Sequence, residues 1–130
     1  MRKGEEPALL PLILDLWPDA EDYDFSGDVT FVWEEGPGAL GGFAVVNIRP
    51  FSNACEDAPC PHLEGWYVAP RLRRQGVGRA LIAACEDWCR ERGFDELGSD
   101  VLIDNDVSHE AHERLGFEPR EVVKYYRKAL

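Results

Sequence analysis

The segment "HLEGWYVAPRLRRQGVGRALIAACEDWCRERG" limits the possible folds of this chain more than any other. "HLEGWYVAP" has the aromatic and β-branched content of a strand, which Pro70 ends. Gly65 within it marks a bulge or a close backbone approach. From 78 to 92, Leu81, Ile82, Cys85, Trp88 and Cys89 recur at helical spacing on one apolar face, and Gly93 stops the helix. Between strand and helix lies a turn rich in arginine and glycine. That arrangement makes an anion site, because a helix N-terminus presents unpaired N–H groups and a partial positive charge. Gly76 and Gly78 admit a ligand close to the backbone, and Arg73, Arg74 and Arg79 can add charge-assisted contacts. Neither G-x-x-x-x-G-K-[ST] nor G-x-G-x-x-G fits the turn. Its plain alternative is a solvated basic helix start.

The other segments supply the layers. "EEPALLPLILDLW" spaces Leu9, Leu12, Ile13 and Leu16 as a helix to about Trp17, with Pro11 disturbing its first turns. "PDAEDYDFSGD" is an acidic loop. "VTFVWEEG" and "ALGGFAVVNIRP" read as strands joined in a hairpin through "EGPG", and the loop "FSNACEDAPCP" follows. "DELGSDV" is a short strand. "SHEAHERLGF" is a short helix with Ser108 as its cap and Gly116 as its end. The alternating "EVVKYYRK" closes the chain as a strand. This order, α-β-β-β-α-β-α-β, predicts one α/β (α+β) domain over 1–130, a mixed sheet with helices on its faces.

Charge and cysteine content narrow the function. With 25 acidic and 14 basic residues the net charge is −11, which disfavours nucleic-acid binding by counterion release. The acidic surface serves solubility, or it attracts a cationic ligand where carboxylates converge on a cleft. No apolar run approaches the ~18 residues of a membrane span. The first twenty residues hold Glu5, Glu6 and three prolines and lack a small-residue cleavage site, unlike a signal peptide, so a cytoplasmic protein is expected. The spacings of Cys55, Cys60, Cys85 and Cys89 fit neither a zinc ribbon nor a C-x-x-C pair. Cys85 and Cys89 read as core residues. Cys55 and Cys60 can pair if oxidised, which a cytosolic setting disfavours. His109 and His112 stand three apart without an evident third ligand, so no metal is expected.

Arg73-x-x-Gly76-x-Gly78 after "YVAP" resembles the pyrophosphate loop of the GNAT family of acetyl-CoA-dependent N-acetyltransferases. "SDVLIDNDVSHEAHERLGFEPREVVKYYRKAL" is similar to that family's second half, and the resemblance covers roughly 29–130. "LEGWYVAPRLRRQGVGRAL", "DNDVSHEAHERLGFEP" and Leu16–Trp17 look most like aminoglycoside 6'-N-acetyltransferases. The resemblance implies a mostly antiparallel sheet whose splayed strands form an acetyl-CoA cleft, with the usual first strand missing.

It also implies roles. The strand backbone at Trp66, Tyr67 and Val68 would lie against pantetheine, and the amides of Gln75, Gly76, Val77, Gly78 and Arg79 would hold the diphosphate. Asn105, with Ser108 beside it, matches the asparagine that touches the pantetheine arm; read alone, Asn105 is a turn residue of "DND". Glu64 and Asp100 match carboxylates that face the acceptor amine and accept its proton directly or through water; read alone, each is an exposed acid. His112 stands where many members carry a tyrosine that protonates the departing sulfur, and a half-buried packing histidine near Leu115 is the competing reading. Trp17, Tyr23, Trp66 and the loop 51–60 would wall a sugar site, with core burial equally open for both tryptophans. The expected acceptor is an aminoglycoside. Another polyamine, a peptide amine, or acyl-CoA binding without catalysis are the alternatives. An open hairpin edge favours a homodimer.

Overall fold

Strand-forming segments pair first with their neighbours in the chain. Four strands result, β1 (Val29–Gly36), β2 (Ala39–Arg49), β3 (Cys60–Val68) and β4 (Gly98–Ser99), in the spatial order β1-β2-β3-β4. A computed structural model of the chain describes residues 28–36 and 39–130. The expected N-terminal helix and acidic loop, with Trp17 and Tyr23, lie outside the described residues. β1 and β2 are antiparallel, as are β2 and β3, while β4 runs parallel to β3. β2 is buried from 41 to 46, so Phe43 and Val45 on one face and Ala44 and Val46 on the other are all shielded.

The bulge read at Gly65 is present. Val45 pairs with Gly65 and Val46 with Leu63, leaving Glu64 without a cross-strand partner. An extra residue reverses the facing of everything beyond it. Leu63, Trp66 and Val68 therefore share the face that packs on the core, although 63 and 66 are three apart.

Helix α1 (Val77–Glu91) begins one residue before the expected start and buries Val77, Leu81, Ile82, Cys85 and Cys89. Its apolar face meets Ala44, Val46 and Leu63. Cys85 and Cys89 are buried thiols, and burial pushes Cys85 up to about 12, so both pack as small apolar groups. The helix closes with the Phe94 N–H on the Cys89 carbonyl, 3.0 Å. Helix α2 (Asp106–Arg114) corrects one expectation: Asn105, not Ser108, is its cap. Asn105 Oδ1 accepts the Ser108 N–H at 3.2 Å, because the helix starts at 106 and Ser108 falls where the donor must be capped.

Three further corrections follow from tertiary pairing. The strand expected in "DELGSDV" shrinks to Gly98–Ser99, which meets β3 only at His62↔Gly98 and Leu63↔Ser99. "EVVKYYRK" forms no strand among the described residues. Its alternation suits a sheet, but β4 is too short to offer an edge, and Val122, Val123, Tyr125, Tyr126 and Leu130 stay exposed. Finally, Cys55 and Cys60 form a disulfide rather than remaining thiols. Local bonds bring them together: the Cys55 N–H reaches the Ser52 carbonyl and the Ala54 N–H reaches Ser52 Oγ. The disulfide lies on Gly98, where a Cβ would come within 2.9 Å of Ala54 Cβ and 3.0 Å of Cys60 Sγ.

Candidate active site

The parting of β3 from β4 creates the first feature of the site. Beyond Leu63↔Ser99 the pairing stops, yet β3 continues to Val68 with β2 as its only sheet neighbour among the described residues. The opposite edge of 64–68 is left open, and its backbone groups are a template for an extended ligand. Trp66, Tyr67 and Val68 occupy that edge.

The anion turn lies at its end. The Ala69 N–H returns to the Gly41 carbonyl at 2.8 Å, a 3-10 turn spans Pro70–Leu72, and Arg74 and Gly76 adopt positive φ of 64° and 83°. Intrahelical bonding in α1 starts with the Ala80 N–H on the Gly76 carbonyl, 3.0 Å. The amides of Val77, Gly78 and Arg79 precede it and are those a diphosphate can take. The two glycines have different jobs. A Cβ at Gly76 would meet nothing within 4 Å, so its left-handed conformation selects glycine. A Cβ at Gly78 would sit 3.2 Å from the Trp66 ring, so close packing of helix on strand selects it. Arg73 is engaged locally: its Nε donates to the Val68 carbonyl at 2.9 Å, and its guanidinium lies 5.5 Å from the Tyr67 ring centre. Gln75 donates its side-chain amide to the Arg71 carbonyl. Arg74 and Arg79 are exposed beside the turn.

The carboxylates meet on the other side of the parting strands. Arg49, the last residue of β2, donates Nε and Nη2 to the two oxygens of Glu64 at 2.7 and 2.6 Å. The same Nη2 lies 3.9 Å from Asp100 Oδ2, and His62 Nε2 lies 3.5 Å from that oxygen. Glu64 and Asp100 thus converge, as expected, but around a guanidinium. Glu64 raises the pKa of Arg49, whereas burial, with Arg49 close by, lowers that of His62. With His62 neutral, the group carries one net negative charge rather than two. Arg49 and His62 were not singled out in the sequence. Only the β2–β3 register, which sets Asn47 beside His62 and Arg49 beside Cys60, brings them to this end of the sheet.

His112 sits on the inner side of α2. Its Nδ1 donates to the Ser108 carbonyl at 2.8 Å, which leaves Nε2 to accept the Ser99 hydroxyl at 2.8 Å. The ring meets Trp66 and Phe117 edge-on at 5.3 and 5.0 Å, and burial lowers its pKa. Trp66 packs against the core beneath Gly78. His109 Nε2 instead contacts the Ile103 carbonyl at 3.2 Å, so the two histidines do not converge. Among the described residues, Asp57, Asp95 and Glu96 bring oxygens together, with Glu96 accepting the amides of Glu56 and Asp57 as a loop anchor.

Residues 5–117 match the acetyltransferase (GNAT) family. The chain belongs to that family. This GNAT protein is 42% identical to aminoglycoside N(6')-acetyltransferase type 1 of Stenotrophomonas maltophilia, across 98% of the chain and 89% of the relative. To the enzyme of the same name from Klebsiella aerogenes it is 35% identical, across 93% and 88%. Among solved structures, AAC(6')-Iy in complex with the bisubstrate analogue CoA-S-monomethyl-acetylneamine superposes with a TM-score of 0.88 at 32% identity, covering 100% of this chain and 95% of that one. AAC(6')-Iy in complex with CoA gives 0.85 at 34%, covering 100% and 97%. No helix among the described residues of the GNAT chain is long and apolar enough to cross a membrane.

Proposed function

We infer that this GNAT chain is an acetyl-CoA-dependent N-acetyltransferase that acts on the 6'-amino group of aminoglycosides, and so would confer resistance to them. One observation carries the reading: the open edge of β3 runs from the anion turn at one end to the Glu64–Asp100 pair at the other. A donor lying along that edge with its diphosphate on α1 would bring its acyl end towards the carboxylates. The names of the relatives support the choice of amine.

The residues present fit the donor. The backbone of Trp66, Tyr67 and Val68 would pair with pantetheine. The amides from Gln75 to Arg79, with the exposed Arg74 and Arg79, would hold the diphosphate, and Arg73 would brace the turn through Val68. Asn105 and Ser108, at the start of α2, are assigned to the pantetheine arm from the resemblance alone. Acetyl-CoA supplies the acyl group as a thioester; the amine–acyl bond forms as the acyl–sulfur bond breaks. An alkylamine arrives protonated, so its ammonium must be bound and its proton removed. Glu64 and Asp100 would bind it, and Asp100, with its side chain 67% exposed, is the carboxylate open to accept the proton directly or through water. Of the two readings of His112, its contacts favour packing, since both ring nitrogens already have partners. A thiol of pKa ~8.5 can depart as thiolate without an acid. Phe51, 70% exposed and two residues beyond Arg49, offers an aromatic face to a sugar ring; Trp17 and Tyr23 are assigned to the same wall from the resemblance alone.

A second copy of the chain is the proposed protein partner, supported by the exposed apolar side chains of 122–130. The proposed location is the cytoplasm, where acetyl-CoA is made.

The test is release of free thiol from acetyl-CoA over a panel of aminoglycosides, polyamines and peptide amines, with mass spectrometry of the product. Rapid turnover confined to aminoglycosides with a 6'-amine is expected. Glu64→Ala and Asp100→Ala should raise the acceptor KM about tenfold or more and leave CoA affinity unchanged. Stabilisation by CoA without thiol release from any amine would overturn the reading.

A further inference from the structure

His62 occupies a β3 position where an aliphatic residue would complete the core. It is 1% exposed, flanked by buried Cys60, Pro61 and Leu63, and paired with Asn47 on β2 and Gly98 on β4. Burying a polar ring there is costly unless its nitrogens find partners. Ser52 supplies one. Its Oγ accepts the Ala54 N–H at 3.1 Å and lies 3.4 Å from His62 Nδ1. The carboxylate that Nε2 faces can only accept, so the ring proton sits on Nε2 and Nδ1 accepts the Ser52 hydroxyl. Nε2 is buried and faces Asp100 Oδ2 at 3.5 Å, an electrostatic contact rather than a formed hydrogen bond. Arg49 Nη2 approaches the same oxygen from β2 at 3.9 Å, and Glu64 is held by Arg49 alongside. Among the described residues, these three are the charged groups around the ring.

We propose that His62 is a positioning residue for the acceptor carboxylate, its Nε2–H, with Ser52 on the opposite ring nitrogen, holding Oδ2 of Asp100 from behind so that the other oxygen faces the incoming ammonium. Asp100 lies beyond β4, with its side chain largely in solvent. An exposed aspartate samples several rotamers, and one buried donor aimed at a single oxygen reduces them. His62 does not touch the amine; it acts through Asp100. The neutral ring holds the carboxylate without cancelling its charge, whereas a cation there would compete with the acceptor.

This inference rests on the reading of Asp100 as an acceptor carboxylate, and the experiment separates the two. His62→Gln keeps an amide N–H near the place of Nε2. His62→Asn keeps one near Nδ1 and cannot reach Asp100. Both are polar and no larger than histidine, and melting with and without CoA shows that each is folded. Steady-state kinetics with an aminoglycoside bearing a 6'-amine should give an acceptor KM within about threefold of the parent for His62→Gln and about tenfold higher for His62→Asn, with the acetyl-CoA KM unchanged in both. Equal KM values for the two variants, raised or not, would overturn the inference. Asp100→Asn is the third arm. If it raises the acceptor KM while the His62 pair do not differ, only the role of His62 fails. If it leaves the acceptor KM unaltered, the carboxylate reading fails and this inference with it.

Discussion

Arg49 grips both oxygens of Glu64 and with the same nitrogen lies 3.9 Å from Asp100, so the acidic end of the cleft contains its own cation. On the proposed reading, a polycationic acceptor meets a site with one net negative charge and must share its carboxylates with a guanidinium. Arg49→Gln should lower the KM for an aminoglycoside severalfold and steepen its rise with added salt, since two uncompensated carboxylates attract a polycation more strongly. The same change should cost no more than about 1 kcal/mol of stability, because the guanidinium is over a third exposed and the pair partly screened. Kinetics at two ionic strengths and a urea melt check both. A higher acceptor KM would mean that Arg49 aligns Glu64 rather than competing for it.

Gly76 and Gly78 should fail differently. Gly76→Ala forces alanine into a φ of 83° and is expected to cost about 1 kcal/mol, with CoA affinity weakened as the first amides of α1 shift. Gly78→Ala places a methyl 3.2 Å from the Trp66 ring, which is itself packed on the core. A larger stability loss is expected there, about 1–3 kcal/mol. Denaturant melts give the first quantity for each, and calorimetry with CoA the second.

Acid should destabilise the protein through its buried histidines. His62 and His112 both have pKa values held below the ordinary 6.5 by burial, so the unfolded chain binds their protons more readily. The stability their neutral forms confer is complete above about pH 6.5 and is lost as pH falls from there through their folded values. Melting temperature should be flat near pH 7.5 and decline towards 5.5. His112→Phe, which keeps an aromatic ring between Trp66 and Phe117, should show a shallower decline. An identical slope would assign the acid sensitivity elsewhere.

The exposed arm bears on assembly. Val123 and Tyr126 contribute to an apolar surface that no described element covers. Light scattering at micromolar concentration should return twice the chain mass of 14.7 kDa, and Val123→Glu combined with Tyr126→Glu should return the single mass. A parent chain that scatters as a monomer would remove the second copy from the proposal.

Much of this was legible in the sequence because it is local. Apolar spacing located α1 to within a residue, the Arg/Gly turn fell between strand and helix, and Gly65 marked a bulge, since each depends on neighbours a few positions apart. Where the reading missed, a distant partner decided. "EVVKYYRK" alternates as a strand should, but pairing needs an edge, and the edge is set by where β4 stops. Ser108 and Asn105 are both good caps, and the choice fell to where α2 starts.

The sequence by itself determined that a cationic turn would join a strand to a helix and that one carboxylate, Glu64, would lie within a strand while Asp100 would close the next strand segment. Only the tertiary structure decided what those carboxylates face. The β2–β3 register carries Arg49 and His62, residues with no motif of their own, to the same corner as Glu64 and Asp100. Charge balance in a cleft is a sum over groups brought together from several strands, and register fixes it rather than any run of adjacent residues.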